Sequence, residues 1–206
     1  VQYSYNYDTD GSYKTNNYNA ITTATKKWSA TDTADPMSDI QDALDSVESN
    51  TGTRPTIMLC SKKTMGYLKA NAVARFLRDK MLAQNITANV FMTDARVNEL
   101  FQNELGVTVI VYSKQYKDEA GTAHKFYPDD MVTLLPEGAL GSTWYGTTPE
   151  ERTLMGKADA DVSLVDTGIA VAVTTTSDPV NTKTTVSEIV LPSFERMDET
   201  YVIKVA

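Results

Sequence analysis

Cysteine and histidine are almost missing from this chain: Cys60 and His124 stand alone among 206 residues. A single cysteine excludes an internal disulfide and fits a reducing compartment. One Cys and one His cannot build a closed zinc site of nitrogen and sulfur ligands. A Cys–His dyad would need the two side by side, with the thiol exposed in an electropositive setting. Cys60 instead closes an apolar run, where cysteine acts as a small buried hydrophobe. Long hydrophobic runs are lacking too. None approaches the roughly 20 residues that cross a bilayer, and no basic-then-apolar leader opens the chain, so neither a membrane partner nor a signal peptide is expected. Positive charge is scarce: 19 Lys and Arg face 27 Asp and Glu, a net charge of −8, with a pI near 4.7. That balance disfavours tight binding to nucleic-acid backbones.

The remaining chemistry is thin. Gly138, Gly141 and Gly146 have neither dinucleotide nor phosphate-loop spacing, and no Lys-Ser or Lys-Thr follows them; they read as turn residues in a loop from Pro136 to Gly146. Asn6, Asp8, Asp10 and Gly11 partly match a calcium loop, but Asn17 stands where a bidentate Glu is needed, so an Asp-Gly turn fits better. No catalytic, cofactor-binding or metal site is expected, and the chain does not read as an enzyme.

What is present is ordinary globular material, 41% hydrophobic and 22% charged, enough for one elaborate domain or two small ones. The clearest signal runs from Trp28 to Ser61. Asp35 suits a helix cap and Pro36 the first helical position. Met37, Ile40, Ala43, Leu44 and Val47 then recur at helical spacing, and Gly52 suits the left-handed stop. After Pro55, the run Ile57 to Cys60 reads as a fully buried central strand. Before this segment, Tyr3, Tyr5 and Tyr7 alternate with polar residues, which predicts a strand, with Tyr13 opening its return. So tyrosine-rich a hairpin, with few aliphatic residues, needs a packing partner outside itself.

After it, Ser61 can cap a helix with Met65, Leu68 and Ala72, followed by a second helix with Phe76, Leu77, Met81 and Leu82. A third is expected from Asp94 to Leu105, with Val97, Leu100 and Phe101 inward and Gly106 as its stop. Strands are expected at Val107 to Tyr112, at Phe126 with Tyr127, and at Met131 to Leu135. Thr148-Pro149-Glu150-Glu151 matches a capping box opening a short helix. The remainder reads as β-rich, at Val162 to Val173, Val186 to Leu191 and Tyr201 to Val205. Helices in the middle and strands at both ends argue for α+β over alternating βαβ.

Charge is unevenly placed. Asp39, Asp42, Asp45 and Glu48 lie three apart on a helix without Lys or Arg, while Lys62, Lys63, Lys69, Arg75, Arg78 and Lys80 form the densest basic region. The plain reading is two solvated faces. The sharper one is that they meet across a subunit contact, setting register and on-rate more than affinity. Candidate interface residues are therefore Tyr3, Tyr5, Tyr7, Asp39, Asp42, Asp45, Lys62, Lys63, Arg75 and Arg78.

The order of motifs is more specific than any of its pieces. Trp28, Asp35-Pro36, then Thr51-Gly52-x-Arg54-Pro55 before a strand ending Cys60-Ser61 are followed by Tyr116…Asp118-Glu119-x-Gly121 and Tyr127-Pro128-Asp129. Leu135-Pro136-Glu137-Gly138…Gly141…Tyr145-Gly146-Thr147-Thr148-Pro149-Glu150-Glu151 comes next, then Asp178-Pro179-Val180 and Leu191-Pro192-Ser193-Phe194-Glu195. From Trp28 to the C-terminus this resembles the lambda-like major capsid proteins of tailed phages, the major capsid protein E family.

The resemblance implies an HK97-like capsid fold, with a spine helix and long antiparallel sheet in a peripheral domain and an inserted mixed α/β axial domain. Mapped here, residues 1–27 are a remnant of an extended loop lying over a neighbour. Residues 28–60 begin the peripheral domain, 61–170 form the axial domain, and 171–206 return to the peripheral sheet through strands near Val171, Ile189 and Val202. It implies as partners the protein itself, in hexamers, pentamers and a DNA-filled shell, together with scaffolding, portal and decoration proteins. Packaged DNA would be met only by weak non-specific contact. It places the protein in the virion and, during assembly, in the cytoplasm of a bacterial host. Because the chain begins at Val1, it is expected to be shortened, without the arm and first part of the extended loop that the family carries. Two other readings stand beside this one: a tail-tube protein or a surface binding module, and, third, an enzyme working through Cys60 and His124.

Overall fold

The computed structural model describes residues 11–83, 92–154, 161–166 and 168–206. In chain order the elements are α1 Gly11–Asn16, β1 Tyr18–Ala20, α2 Pro36–Thr51, β2 Ile57–Cys60, α3 Lys62–Ala83, α4 Asp94–Leu105, β3 Thr108–Val111, β4 Gln115–Lys117, β5 Ala123–Lys125, β6 Met131–Leu135 and β7 Gly141–Tyr145. Then come α5 Pro149–Leu154, β8 Asp161–Asp166, β9 Ile169–Ser177, β10 Val180–Glu188, β11 Val190–Phe194, a 3-10 turn Met197–Glu199 and β12 Tyr201–Lys204. The chain forms two compact units, residues 1–138 with 197–206, and residues 139–196.

The first unit is built on a five-stranded sheet in the order β1-β12-β6-β2-β3. β12 and β2 run antiparallel to β6, while β1 is parallel to β12 and β3 parallel to β2. Registered neighbours share a face of a sheet. Val109, Met58, Leu134 and Tyr201 thus form one row, and Val111, Cys60, Val132 and Ile203 the next. These rows belong to one hydrophobic core with Ile40, Leu44 and Val47 of α2, Met65 and Leu68 of α3, and Val97 and Phe101 of α4.

α2 follows its sequence signals. The Asp35 carboxylate accepts from Ser38 N at 3.2 Å, Pro36 opens the helix, and Gly52 closes it at φ 73°. Trp28, fully buried, ties this helix to the rest of the unit. Its Nε1–H donates to Asp39 Oδ2 at 2.8 Å, its backbone N–H to Val205 O at 3.0 Å, and its carbonyl accepts from Asn71 Nδ2 at 2.9 Å. Ser61 caps α3 as expected, accepting from Thr64 N at 3.1 Å. Its hydroxyl and that of Thr64 also donate to Asp129 O, at 2.9 and 2.6 Å.

The second unit holds a three-stranded antiparallel sheet, β10-β9-β8, and a two-stranded ribbon, β11-β7. The Asp178-Pro179 bond in the β9–β10 turn is cis. Ala170 and Ala172 are the buried side chains of β9, whereas β10 is largely exposed. Gly141 is required by close approach: a Cβ there would sit 1.9 Å from Ser193 O of the paired strand. Thr148 Oγ1 accepts from Glu151 N at 3.3 Å, the cap expected for α5.

Several expectations are corrected. Tyr13 lies in α1 and opens no return strand, while Tyr3, Tyr5, Tyr7 and most of the Asp8–Gly11 turn fall outside the described residues. Residues 11–20 pack on their own chain: β1 pairs with β12, and Asn17, buried, donates to Asp198 O and Thr200 O. The two helices expected after Ser61 are one, because no glycine or proline between Tyr67 and Ala83 interrupts it. β2 is central, but only Met58 and Cys60 are buried; Ile57 and Leu59 face the other side, half-covered. Leu100 is exposed, one position off the buried stripe of Val97 and Phe101. The strand expected at Phe126 and Tyr127 lies just before them, at β5, and the loop Pro136 to Gly146 contains β7.

Of the three returning strands, only β12 joins the sheet that holds β2. β9 pairs with β8 and β10, and β11 with β7. The boundaries between the compact units fall at 138/139 and 196/197, and β2 is hydrogen-bonded on both sides, to β3 and β6. The fold is α+β, with one parallel crossover, β2-α3-α4-β3.

Two measurements probe this core. Burial, and then the neighbouring charges of Asp35 and Asp42, raise Asp39 above its ordinary 3.8, although the Trp28 bond pulls the other way. A raised carboxylate contributes stability that is present below its unfolded value and lost as pH rises through the folded one. Asp39→Asn keeps an acceptor for Trp28 without the charge. Its urea midpoint should match wild type near pH 3.5 and exceed it increasingly toward about pH 7; a pH-independent gap would contradict this. Cys60 is fully buried and its thiol is pushed up to about 12, mainly by burial. Maleimide or iodoacetamide should therefore label it only in denaturant, which mass spectrometry reads directly.

Candidate functional site

The ten candidate interface residues divide between α2, α3 and the N-terminal segment. Tyr3, Tyr5 and Tyr7 lie outside the described residues. The acidic row of α2 turns out to be largely engaged within its own chain. Asp39 accepts from the Trp28 indole. Asp45 Oδ1 accepts from Gln41 Nε2 at 2.6 Å and from Arg54 at 3.2 Å, and Arg54 also donates to Glu48 Oε2 at 2.7 Å. The Glu48 and Asp45 bonds hold the Arg54 guanidinium above its ordinary value. Asp42 is exposed and has no ion pair among the described residues. Exposed pairs of this kind contribute about 0–1 kcal/mol each and exchange partners readily.

On the basic side, Lys62 and Lys63 are the first residues of α3. Lys63 Nζ bonds Asp130 Oδ1 at 3.0 Å and sits 5.9 Å from the Tyr67 ring centre. That bond is the main cause of its raised pKa. Farther along, Lys69 pairs with Asp94 at 2.7 Å, tying α3 to α4. Arg75 and Arg78 fall on the same helix, with side chains outside the described part. Among the described residues no ion pair joins the α2 acids to the α3 bases. Within one chain the two groups are served by other partners.

The third reading of the sequence loses its geometry here. Cys60 belongs to the core, while His124 is half-exposed on β5, its Nε2 2.9 Å from Asp118 Oδ2 and its ring stacked on Tyr116 at 5.4 Å. That contact, with the Thr122 amide, lowers the Asp118 pKa. The dyad does not form. Among the described residues no three His, Cys, Asp or Glu side chains gather as a metal site, and no helix is long and apolar enough to cross a membrane.

A feature that sequence reading missed lies where β2 and β3 end. A cavity of about 130 Å³ opens there, lined by Lys62 and Lys63, by Lys114 after β3, by Lys125 at the end of β5 and by Asp129 beyond it. Lys125 Nζ bonds both Asp129 oxygens, at 2.7 and 2.6 Å. The lysines come from three stretches of chain: the parallel pairing of β2 with β3 brings Lys62 and Lys63 towards Lys114, and the β4–β5 pairing of Gln115 with Lys125 adds the fourth. The one available clue was a lysine shortly after each of two apolar strands. Tyr127 also lines the cavity; its OH donates to Leu59 O at 3.2 Å and shares a 2.8 Å hydrogen bond with Thr133, and burial pushes its phenol up.

Exposed apolar side chains mark the second unit. Trp144 and Leu191 are registered neighbours on the β7–β11 ribbon and stand 63% and 52% exposed. Tyr145 and Val190, the next pair, are exposed as well.

Comparison with known proteins places this architecture. The chain matches, over 88% of its own length and 50% of the other's, a candidate capsid protein of an Escherichia coli CFT073 prophage, at 20% identity and a TM-score of 0.57. It also matches a phage-related protein of Bordetella bronchiseptica RB50 over 93% and 56%, at 14% identity and a TM-score of 0.53. The chain thus spans about half the length of the solved structures it matches, and the likeness is one of fold. No curated protein matches it. The family model for phage major capsid protein E covers residues 3–205, nearly every residue whose packing is described above, and the chain belongs to that family.

Proposed function

We propose that this protein is the wall-forming subunit of a tailed-phage or prophage head, joining copies of itself into hexamers and pentamers of an icosahedral shell around double-stranded DNA. The observation that carries the reading is the family match from residue 3 to residue 205. The subunit works by fitting copies of itself, and no bond-making centre is needed. Head-to-tail contacts close into rings where the rotation permits, and closure holds every subunit several times over, so individual contacts can be weak. A net charge of −8 suits such a wall, because a cationic lining would grip packaged phosphates and resist filling and ejection.

In HK97-like terms, α2 is the spine helix. Residues 28–60 and 171–206 belong to the peripheral domain and residues 61–170 to the inserted axial domain, and Tyr3, Tyr5 and Tyr7 reach a neighbouring copy. Asp39, Asp42 and Asp45 on α2, with Lys62, Lys63, Arg75 and Arg78 on α3, are contact residues between copies. Scaffolding, portal and decoration proteins complete the partner set. The site of action is the virion, after assembly in the host cytoplasm.

Electron microscopy of the full-length protein expressed alone should show closed particles or capsomer rings; tubes or monomers only would overturn the reading. Reversing charge with Asp42→Lys and Asp45→Lys should abolish or strongly slow assembly while lowering stability by no more than about 1 kcal/mol, since only an exposed pair is lost. Light scattering and thermal melts on the same samples separate the two effects. Parallel losses of assembly and stability would remove the interface role.

A further inference from the structure

We infer that the lysine-lined cavity at the ends of β2 and β3 receives a carboxylate of a second copy of this chain. The inference rests on the shell-building reading and names one of its contacts. The cavity, about 130 Å³, has the size of a single small anionic group. Four lysines line it against one acidic side chain, Asp129, in a chain whose net charge is −8. Two of those lysines are matched from within: Lys63 by Asp130 and Lys125 by Asp129. Lys62 and Lys114 are exposed and have no ion pair among the described residues. The α3 N-terminus itself is not the receptor, because Ser61 already caps it.

Charge complementarity selects the occupant. Copies that each carry a net −8 repel one another, so a contact between them must set local positive charge against negative. This cavity supplies that positive charge, and the 27 Asp and Glu of the sequence supply the negative side. A DNA backbone fits less well. It needs a continuing cationic groove, whereas the carboxylates of Asp129 and Asp130 stand beside these lysines.

Zero-length carbodiimide coupling joins a lysine amine to a carboxylate in contact with it. Full-length protein is prepared in normal and nitrogen-15 forms, mixed, assembled and coupled, and the peptides are read by mass spectrometry. The expected product links Lys62 or Lys114 to an Asp or Glu of the other isotopic form. The double variant Lys62→Glu, Lys114→Glu should need about tenfold more protein to assemble, with its urea midpoint unchanged; Lys62→Gln, Lys114→Gln should fall between. Particles in which these lysines couple only to acids of their own copy would overturn the inference. So would variants that assemble at the wild-type concentration, or that lose DNA retention alone. Wild-type protein that forms no particles would overturn the shell reading underneath, a failure distinct from these.

Discussion

The indole of Trp28 is the point on which the first unit closes. It is fully buried and bonds α2 through Asp39, while the backbone of the same residue bonds α3 through Asn71 and the strand leaving β12 through Val205. Losing a buried aromatic of this size costs about 3–5 kcal/mol, most of it packing. The hydrogen bonds add direction to that energy, because each satisfies a polar group that would otherwise be stranded next to the core. Asp39 shows the cost of the arrangement. Its carboxylate gives up water to meet the indole, and burial outweighs the bond it gains. Trp28 also fixes where the C-terminal strand enters the sheet, and with it the register that aligns Tyr201 and Ile203 with Leu134 and Val132.

Segments with several agreeing local signals were legible, whereas segments with a single weak cue, such as Tyr13 or Phe126 with Tyr127, and those set by distant pairing were not. α2 carries a cap, a proline start, a periodic stripe and a glycine stop, and each of them acts as its chemistry suggests. β6 and α4 were legible for the same reason. By contrast, β7 hides among glycines, since Gly141 serves a close approach to Ser193 that only the partner strand reveals. The parallel pairs β1 with β12 and β2 with β3 join segments separated by most of the chain or by two helices. No short-range pattern encodes them. The candidate site followed the same rule. The acidic row on α2 was visible as a row, but its use was not, because Trp28 and Arg54 arrive from outside the helix.

Those internal uses matter for how such a surface can serve a second copy. An arginine that holds Asp45 and Glu48 keeps them ordered at little energetic cost and releases them easily. Fixed geometry favours specificity, since a charge that already points outward in one direction loses less freedom on docking. Weak, exposed pairs are also the ones most sensitive to ionic strength. With a screening length of about 8 Å in physiological salt, charges on neighbouring copies act only when they are nearly in contact. They can select register among copies already brought together, but they cannot supply the main attraction.

That attraction has to come from apolar surface, and its distribution is uneven. Trp144, Tyr145, Val190 and Leu191 crowd the short β7–β11 ribbon, and Val180 and Val186 stand out on β10. A lone exposed side chain signifies little, but here each face of the ribbon carries a registered apolar pair, Trp144 with Leu191 on one and Tyr145 with Val190 on the other. Trp and Tyr are also the residues that most often dominate contact energies, because they bury a large area at little cost in rotamer freedom. On the shell-building reading, the charges of the sheet unit would set how copies are oriented, and the exposed apolar pairs of the 139–196 unit would supply the surface whose burial favours association.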